Sequence, residues 1–146
     1  MKRNKFFRKV AMMMVGSLVL PAVALADIKM GIILGFTGPI ESLTPDMAGS
    51  AELAFKEASD SGNLLGGEKI IPVRADSTCI DAAAATTAAE RLVTAEKVAG
   101  IMGADCSGVT IAVANNVAVP NGIPMVSPSA TSPALSTISD LSLIHI

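Results

Sequence analysis

The sequence has no tryptophan, no tyrosine and only two cysteines, and its single histidine, His145, is the penultimate residue. A serine hydrolase needs a base beside its nucleophile, usually histidine, and a zinc site usually needs three or four Cys, His or carboxylate ligands. The glycines at 31, 35 and 38 lack the G-x-G-x-x-G spacing of dinucleotide-binding loops. The sequence therefore argues against an enzyme, and we expect neither a metal ion nor another cofactor.

Basic residues are scarce beyond position 26. The first 26 positions contain five of the 11 Lys and Arg residues and none of the 13 acidic ones, so the remainder, with six basic residues, carries a net charge of −7. An acidic chain without a basic cluster lacks the electrostatic footprint of nucleic-acid binding. We therefore expect small solutes or proteins as partners, and no nucleic acid.

The chain begins like an export precursor. A basic start is followed by an apolar run over 10–20, by the helix-breaking Pro21 and by the small residues of Ala24-Leu25-Ala26. This order predicts a signal peptide over 1–26, cleaved before Asp27, with no membrane insertion afterwards. The alternative is a retained anchor helix, but the apolar run is too short to span a bilayer. In an oxidising compartment Cys79 and Cys106 are expected to form a disulfide, the alternative being two separate buried thiols.

From residue 28 onward, apolar runs alternate with helical patterns. The patterns predict strands over 28–34, 69–75, 98–102 and 123–126. Strands that alternate with helices predict an α/β fold with an open, mostly parallel sheet and helices on both faces.

The intervening helices carry start signals and apolar stripes. Thr44 is expected to cap the first helix with its hydroxyl, Asp81 the second, and the third opens at Ser107 and runs to about 117. Glu52 and Lys56 are expected to pair on the outer face of the first helix. The buried stripes are expected to consist of Met47, Ala51, Ala54, Phe55 and Ala58 in the first helix and of Ala85, Ala88, Ala89 and Leu92 in the second.

The last six residues, Leu141-Ser142-Leu143-Ile144-His145-Ile146, resemble translated sequencing adapter. We expect the reading frame to be a truncated fragment with a non-native tail over 141–146. The alternative is a genuine short terminal strand.

Hydroxyls and small residues concentrate where three predicted strands end, in segments 35–39, 103–107 and 127–131. Ligands of open parallel sheets bind at the carboxyl ends of the strands. A helix that begins at Ser107 would point its positive end at this rim, which suits a carboxylate. The alternative is that Ser107 only caps its helix, while Ser129 and Thr131 only shape a turn.

Five landmarks in order resemble the periplasmic leucine/isoleucine/valine-binding proteins, the type I solute receptors of ABC importers. They are Asp27-Ile28-Lys29-Met30-Gly31-Ile32, then Thr37-Gly38-Pro39, the interval from Cys79 to Cys106, Cys106-Ser107-Gly108-Val109-Thr110, and Ser127-Pro128-Ser129-Ala130-Thr131-Ser132-Pro133-Ala134-Leu135. The resemblance implies a two-lobed receptor of which 27–140 is most of the first lobe, with the second lobe missing.

The resemblance also implies roles for particular residues. The two cysteines match the family's first-lobe disulfide, and the ligand head group would be bound by Ser107, Ser129, Ala130 and Thr131. Ser129 departs from the alanine often found there, which a main-chain contact tolerates. The segment 41–43 lacks an aromatic residue, so ligand specificity stays open. The implied partners are an amino acid, of the branched-chain type, and an ABC permease in the inner membrane, and the implied location is the periplasm.

Two other functional classes remain open from the sequence. One is a ligand-sensing regulator or receptor ectodomain on the same fold. The other is a secreted α/β enzyme whose catalytic groups lie outside this chain.

Overall fold

Four parallel strands form a single sheet in the order β2-β1-β3-β4 in the computed structural model, which describes residues 27–139. The strands are β1 (Ile28–Leu34), β2 (Ile70–Asp76), β3 (Gly100–Gly103) and β4 (Met125–Val126). The α/β fold and the parallel sheet predicted from the sequence are confirmed. The predicted signal peptide over 1–26 and the suspected tail over 141–146 lie outside the described residues.

Helical segments connect successive strands. They are α1 (Thr44–Asp60), α2 (Ala82–Thr94), α3 (Ser107–Val113), a π-helical segment (Ala114–Ala118) and α4 (Val119–Asn121), with a 3-10 turn (Pro133–Thr137) after β4. The helix predicted from Ser107 to about 117 thus starts as expected and continues through a π-helical turn to Asn121. Among residues 27–139, none of the helices combines the length and apolar character needed to cross a bilayer.

The central strand β1 is buried on both sides. Ile32 and Leu34 are fully buried against Ala48 of α1, while Ile33 packs into a second cluster with α2 and α3. Successive side chains of a strand point to opposite faces, so a continuous apolar run marks a strand covered twice. The predicted placement of helices on both faces is confirmed.

The start of α1 differs from the prediction. Leu43 occupies the N-cap position without a side-chain cap, and Thr44 is the first helical residue. The Thr44 hydroxyl is fully buried and donates to the carbonyl oxygens of Gly35, at 3.2 Å, and Glu41. The predicted cap is therefore wrong, because this hydroxyl holds the preceding loop instead. Asp81 does cap α2, accepting from the amides of Ala83 and Ala84.

The predicted Glu52–Lys56 pair is also wrong. Both carboxylate oxygens of Glu52 accept from the guanidinium of Arg74 on β2, at 2.6 and 2.9 Å, and Lys56 pairs with Asp60 instead. Of the predicted α1 stripe, Ala54 is exposed, and the fully buried apolar residue of α1 is Ala48, which the prediction did not include. The α2 stripe is confirmed for Ala85, Ala89 and Leu92, with Ala88 partly buried.

The strand β4 forms one border of the described sheet, and Val126 is 60% exposed. Beside it, on the α1 side, lies an open apolar depression of about 500 Å³ lined by Met47, Ser50, Ala51, Met102, Val126 and Pro128.

Candidate functional site

All four strands run in the same direction, so their carboxyl ends and the loops that follow them meet at one rim. The strands end at Leu34, Asp76, Gly103 and Val126. We call the loops after them, residues 35–43, 77–81, 104–106 and 127–132, the rim loops. In sheets of this kind the rim is the ordinary place for a ligand.

Two predicted site residues, Ser107 and Thr131, are in direct contact at this rim. The Oγ of Ser107 accepts hydrogen bonds from the backbone amides of Thr131, at 3.0 Å, and Ser132, at 3.1 Å. The N-cap of α3 is Cys106, without a side-chain cap, so Ser107 does not cap its helix. The capping alternative is wrong, and the hydroxyl joins the start of α3 to the loop after β4.

The two hydroxyls of this pair keep their donor capacity. A serine hydroxyl can accept two hydrogen bonds and donate one, and both acceptor positions of Ser107 are used by amides. Within the described part of the chain, neither the Ser107 proton nor the exposed Thr131 hydroxyl is engaged in a further hydrogen bond. Two residues joined by a backbone hydrogen bond at the rim thus each carry an O–H donor, which suits an anionic acceptor such as a carboxylate.

Ser129 and Ala130, unlike the Ser107 and Thr131 hydroxyls, donate hydrogen bonds to other groups among residues 27–139. The Ser129 hydroxyl donates to the carbonyl oxygen of Asp105 at 2.8 Å, and the Ala130 amide donates to Ser127 Oγ at 2.9 Å. Ser127 Oγ in turn donates to the Ala104 carbonyl. The side chain of Ser129 is thus engaged in fixing the loop, as the turn-shaping alternative expects. The structure brings all four predicted residues to one place, and their ligand contacts stay predictions.

The end of β3 approaches β1 so closely that only glycine fits. Gly103 has φ +125°, and a Cβ at this position would lie 1.9 Å from the carbonyl oxygen of Ile33. A side chain is excluded by both the backbone conformation and the contact. Gly103 therefore lets the chain turn from β3 directly into the rim.

The predicted disulfide is present. Cys79, in the loop after β2, is bonded to Cys106, the residue before Ser107, and their Cα atoms are 5.2 Å apart. The bond ties the start of α3 to a neighbouring rim loop.

Asp76, at the end of β2, organises a further part of the rim. Its carboxylate accepts from the Thr37 hydroxyl at 2.6 Å and from the Thr78 amide at 2.8 Å. Burial alone would raise the pKa of Asp76, but these bonds, with those from the Thr37 and Phe36 amides, outweigh it and hold the pKa below its ordinary value.

Sequence reasoning missed Asp105. This residue is 3% exposed, and its carboxylate accepts from the amides of Gly35, at 2.7 Å, and Cys106, at 3.0 Å, and from the Ser77 hydroxyl, at 3.3 Å. The available signal was an acid among small and apolar neighbours directly after a buried strand. A buried carboxylate needs hydrogen-bond donors around it, so its position indicated a network.

The rim thus offers the hydroxyl donors of Ser107 and Thr131 on a scaffold fixed by Asp105, Asp76 and the disulfide. Residues 27–139 contain no group of three or more His, Cys, Asp or Glu side chains placed to hold a metal ion. The arrangement is suited to binding an anionic group by hydrogen bonds.

Comparisons with known proteins, by family, by sequence and by fold, all find solute-binding proteins. Residues 27–139 match the periplasmic binding protein family. The chain is 37% identical over 124 residues to Leu/Ile/Val-binding protein homolog 7 of Brucella suis biovar 1 (strain 1330), which covers 85% of this chain and 29% of the relative.

Two solved structures are similar in fold and sequence. The branched-chain amino acid transporter substrate binding protein LivJ of Streptococcus pneumoniae, in complex with isoleucine, has a TM-score of 0.68 and 32% identity, over 76% of this chain and 31% of that one. A solute binding protein of an ABC transporter from R. palustris, in complex with benzoate, has a TM-score of 0.60 and 28% identity, over 71% and 28% of the two chains. The chain spans less than a third of the length of the curated relatives that it matches.

Proposed function

This chain belongs to the periplasmic binding protein family, and from that premise we propose that it forms the first lobe of a periplasmic receptor that delivers a branched-chain amino acid to an ABC importer. The partner is then the importer's permease in the inner membrane. The protein acts by binding and release, without catalysis.

The Ser107–Thr131 pair is the observation that carries this proposal. Among residues 27–139 both hydroxyls are free to donate at the rim, and the backbone amide of Thr131 donates to the Oγ of Ser107. An amino acid presents a carboxylate, and hydrogen bonds from hydroxyls to a charged acceptor are stronger than those between neutral groups. We assign the ligand carboxylate to this pair. The backbone amides of Ser129 and Ala130, which donate to Ser127 Oγ, would support it by sharing those bonds with the ligand.

A branched-chain amino acid is the proposed ligand because the names of the relatives support it. The curated relatives are named Leu/Ile/Val-binding proteins, and the S. pneumoniae structure holds isoleucine. The R. palustris structure holds benzoate, which shares only the carboxylate with an amino acid. Leucine and benzoate therefore form an informative pair of test ligands.

One lobe supplies only one wall of a two-walled cleft, so the test needs the second wall. We define the chimeric receptor as residues 27–139 of this chain joined to the remaining carboxy-terminal part of the B. suis relative. Closing the second lobe over the ligand removes water and strengthens its polar contacts. Calorimetric titration should give micromolar leucine binding by the chimeric receptor and binding at least about a hundred-fold weaker by the mature chain alone.

The matched control is the chimeric receptor with Ser107→Ala and Thr131→Ala together. If the unmodified chimera prefers benzoate, the carboxylate pocket is retained and the ligand class is wrong. If leucine binds the doubly substituted chimera as tightly as the parent, the assignment of the pocket is wrong.

A further inference from the structure

Asp105 connects the loops that follow all four strands. Its carboxylate accepts from Gly35 after β1, from Ser77 after β2 and from Cys106 after β3. Its carbonyl oxygen accepts the hydroxyl of Ser129, in the loop after β4. Four rim loops are thus joined through a single residue.

Two of the three contacts of the carboxylate are buried, and the third, with Cys106, is partly buried. Asp105 is 3% exposed, Ser77 is fully buried and Gly35 is buried as well. The four ion pairs found among residues 27–139 do not include Asp105. The carboxylate is therefore compensated by hydrogen-bond donors, and charge-assisted bonds in a buried place are strong and geometrically demanding.

Two of these hydrogen bonds hold residues next to the proposed pocket. The Cys106 amide precedes Ser107 directly, and the Ser129 hydroxyl holds the loop that carries Thr131. The third bond holds Gly35, the first residue of the loop on the other side of the rim. The distance between that loop and the Ser107–Thr131 pair therefore depends on Asp105.

We propose that Asp105 is the positioning residue of the ligand site, which fixes the loop after β1 relative to the Ser107–Thr131 donor pair. The ligand part of this inference rests on the proposed function; the positioning part does not. Asp105 itself contacts no ligand in this scheme, since its acceptor positions face protein donors.

The test is amide hydrogen exchange by NMR on the full chain, exported and processed so that the disulfide forms. In Asp105→Asn one carboxylate oxygen becomes an NH₂ group, so either Gly35 or the pair Cys106 and Ser77 loses its acceptor, depending on the orientation of the amide. We expect exchange of the Gly35 or the Cys106 amide to accelerate about ten-fold or more, and the Thr131 and Ser132 amides, which the Asp105 side chain does not touch, to accelerate as well.

Two control variants separate positioning from general destabilisation. Val98→Ala removes core packing just before the start of β3 and should accelerate protected amides throughout the chain. Asp76→Asn removes the other strand-end carboxylate and should affect Thr37 and Thr78 while leaving Thr131 and Ser132 unchanged. If Asp105→Asn gives the uniform pattern of Val98→Ala, or leaves Thr131 and Ser132 unchanged, the positioning role is overturned.

Ser129→Ala keeps the test decisive if Asp105→Asn does not fold. This variant cuts only the link from the Asp105 carbonyl to the last loop, so Thr131 and Ser132 exchange should accelerate while Gly35 exchange stays as in the parent. Unchanged Thr131 exchange in Ser129→Ala would contradict the proposed link.

Leucine provides the ligand arm of the experiment. Titrating millimolar L-leucine should shift the Ser107 and Thr131 amide resonances of the parent, and Asp105→Asn should need about ten-fold more leucine for the same shift. If neither the parent nor the chimeric receptor responds to leucine while the exchange results hold, the proposed function fails and the positioning role stands. If leucine shifts the parent and Asp105→Asn equally, the positioning role fails and the proposed function stands.

Discussion

Thr131 donates its backbone amide to the Oγ of Ser107 at 3.0 Å, although the two residues are 24 positions apart in the chain. The bond joins the start of α3 to the loop after β4. A hydrogen bond that fixes two segments of a pocket relative to each other reduces the conformational entropy lost on binding. The pair is therefore both part of the fold and the proposed binding site, and substitutions should separate the two roles.

Thr131→Ala should weaken binding without weakening the fold. No hydrogen bond among residues 27–139 involves the exposed Thr131 hydroxyl, so the free energy of unfolding should change by less than about 0.5 kcal/mol. Leucine affinity of the chimeric receptor should fall roughly ten- to a hundred-fold, as expected for a lost bond to a charged group. Calorimetry and urea unfolding measure the two effects, with the exposed Thr87→Ala on α2 as control. If Thr131→Ala and Thr87→Ala lowered leucine affinity equally, the assignment of Thr131 to the carboxylate pocket would be refuted.

Ser107→Ala should lower both the free energy of unfolding and the affinity for leucine. The substitution leaves the Thr131 and Ser132 amides without their acceptor, and we expect the free energy of unfolding to fall by about 1–2 kcal/mol. Affinity should fall at least as far as in Thr131→Ala. Ser129→Ala should lower affinity least of the three, because its proposed ligand contact is made by the main chain. If Ser107→Ala lost stability but kept its leucine affinity, the hydroxyl would only fix the loop and its binding role would be contradicted.

The Cys79–Cys106 bond should contribute a large share of the stability. The cysteines are 27 positions apart, and the chain-entropy model gives roughly 3–4 kcal/mol for a loop of that size. Urea unfolding of the mature chain with and without reductant should show this difference. The Cys79→Ser/Cys106→Ser double variant should have the same free energy of unfolding as the reduced parent, and reductant should not change it. Peptide mapping without reduction should find one cross-linked peptide, and two freely alkylated cysteines would contradict the pairing.

Asp76 should make stability depend on acidity. Its pKa in the folded chain lies below the ordinary value of 3.8, so the ionised form is favoured by folding. The stabilisation is complete above about pH 5 and is lost as the pH falls from about 4 through the lower pKa of the folded state. Melting temperatures measured from about pH 7 to 2.5 should therefore fall less steeply in Asp76→Asn than in the parent. Thr37→Val, which removes one donor, should show an intermediate fall in melting temperature. If the melting temperatures of all three proteins fell equally with decreasing pH, the role of Asp76 would be refuted.

The mature protein should begin at Asp27. The cleavage motif Ala24-Leu25-Ala26 precedes it, and the first strand starts at Ile28. Intact mass of periplasmic material should match cleavage after Ala26. Material that retains Met1 in the membrane fraction would contradict the predicted signal peptide.

Local signals in the sequence predicted much of the fold. The near-continuous apolar run of β1, interrupted only by the exposed Lys29, predicted its bounds at Ile28 and Leu34, because a strand covered on both faces has few polar positions. Asp81 was predictable as a cap because its partners, Ala83 and Ala84, are two and three residues away. Likewise Ser107, Ser129, Ala130 and Thr131 could be placed at one rim because parallel strands end on the same side.

Long-range polar partners could not be predicted in this way. Glu52 binds Arg74, 22 positions away, in preference to Lys56 in the next turn, because the bidentate geometry to a guanidinium is available only once β2 lies beside α1. Asp105 and Gly35 are 70 positions apart. No periodicity connects such residues, since their contact is a product of strand order and loop shape.

The exposed border at β4 has a consequence for handling this chain in the laboratory. The outer edge of β4 is unpaired within residues 27–139, Val126 is exposed, and the apolar depression lies beside it. Free strand edges next to apolar surface promote edge-to-edge association between molecules. Preparations of residues 27–139 should therefore become turbid with rising concentration, and Val126→Lys should raise the concentration at which they do so.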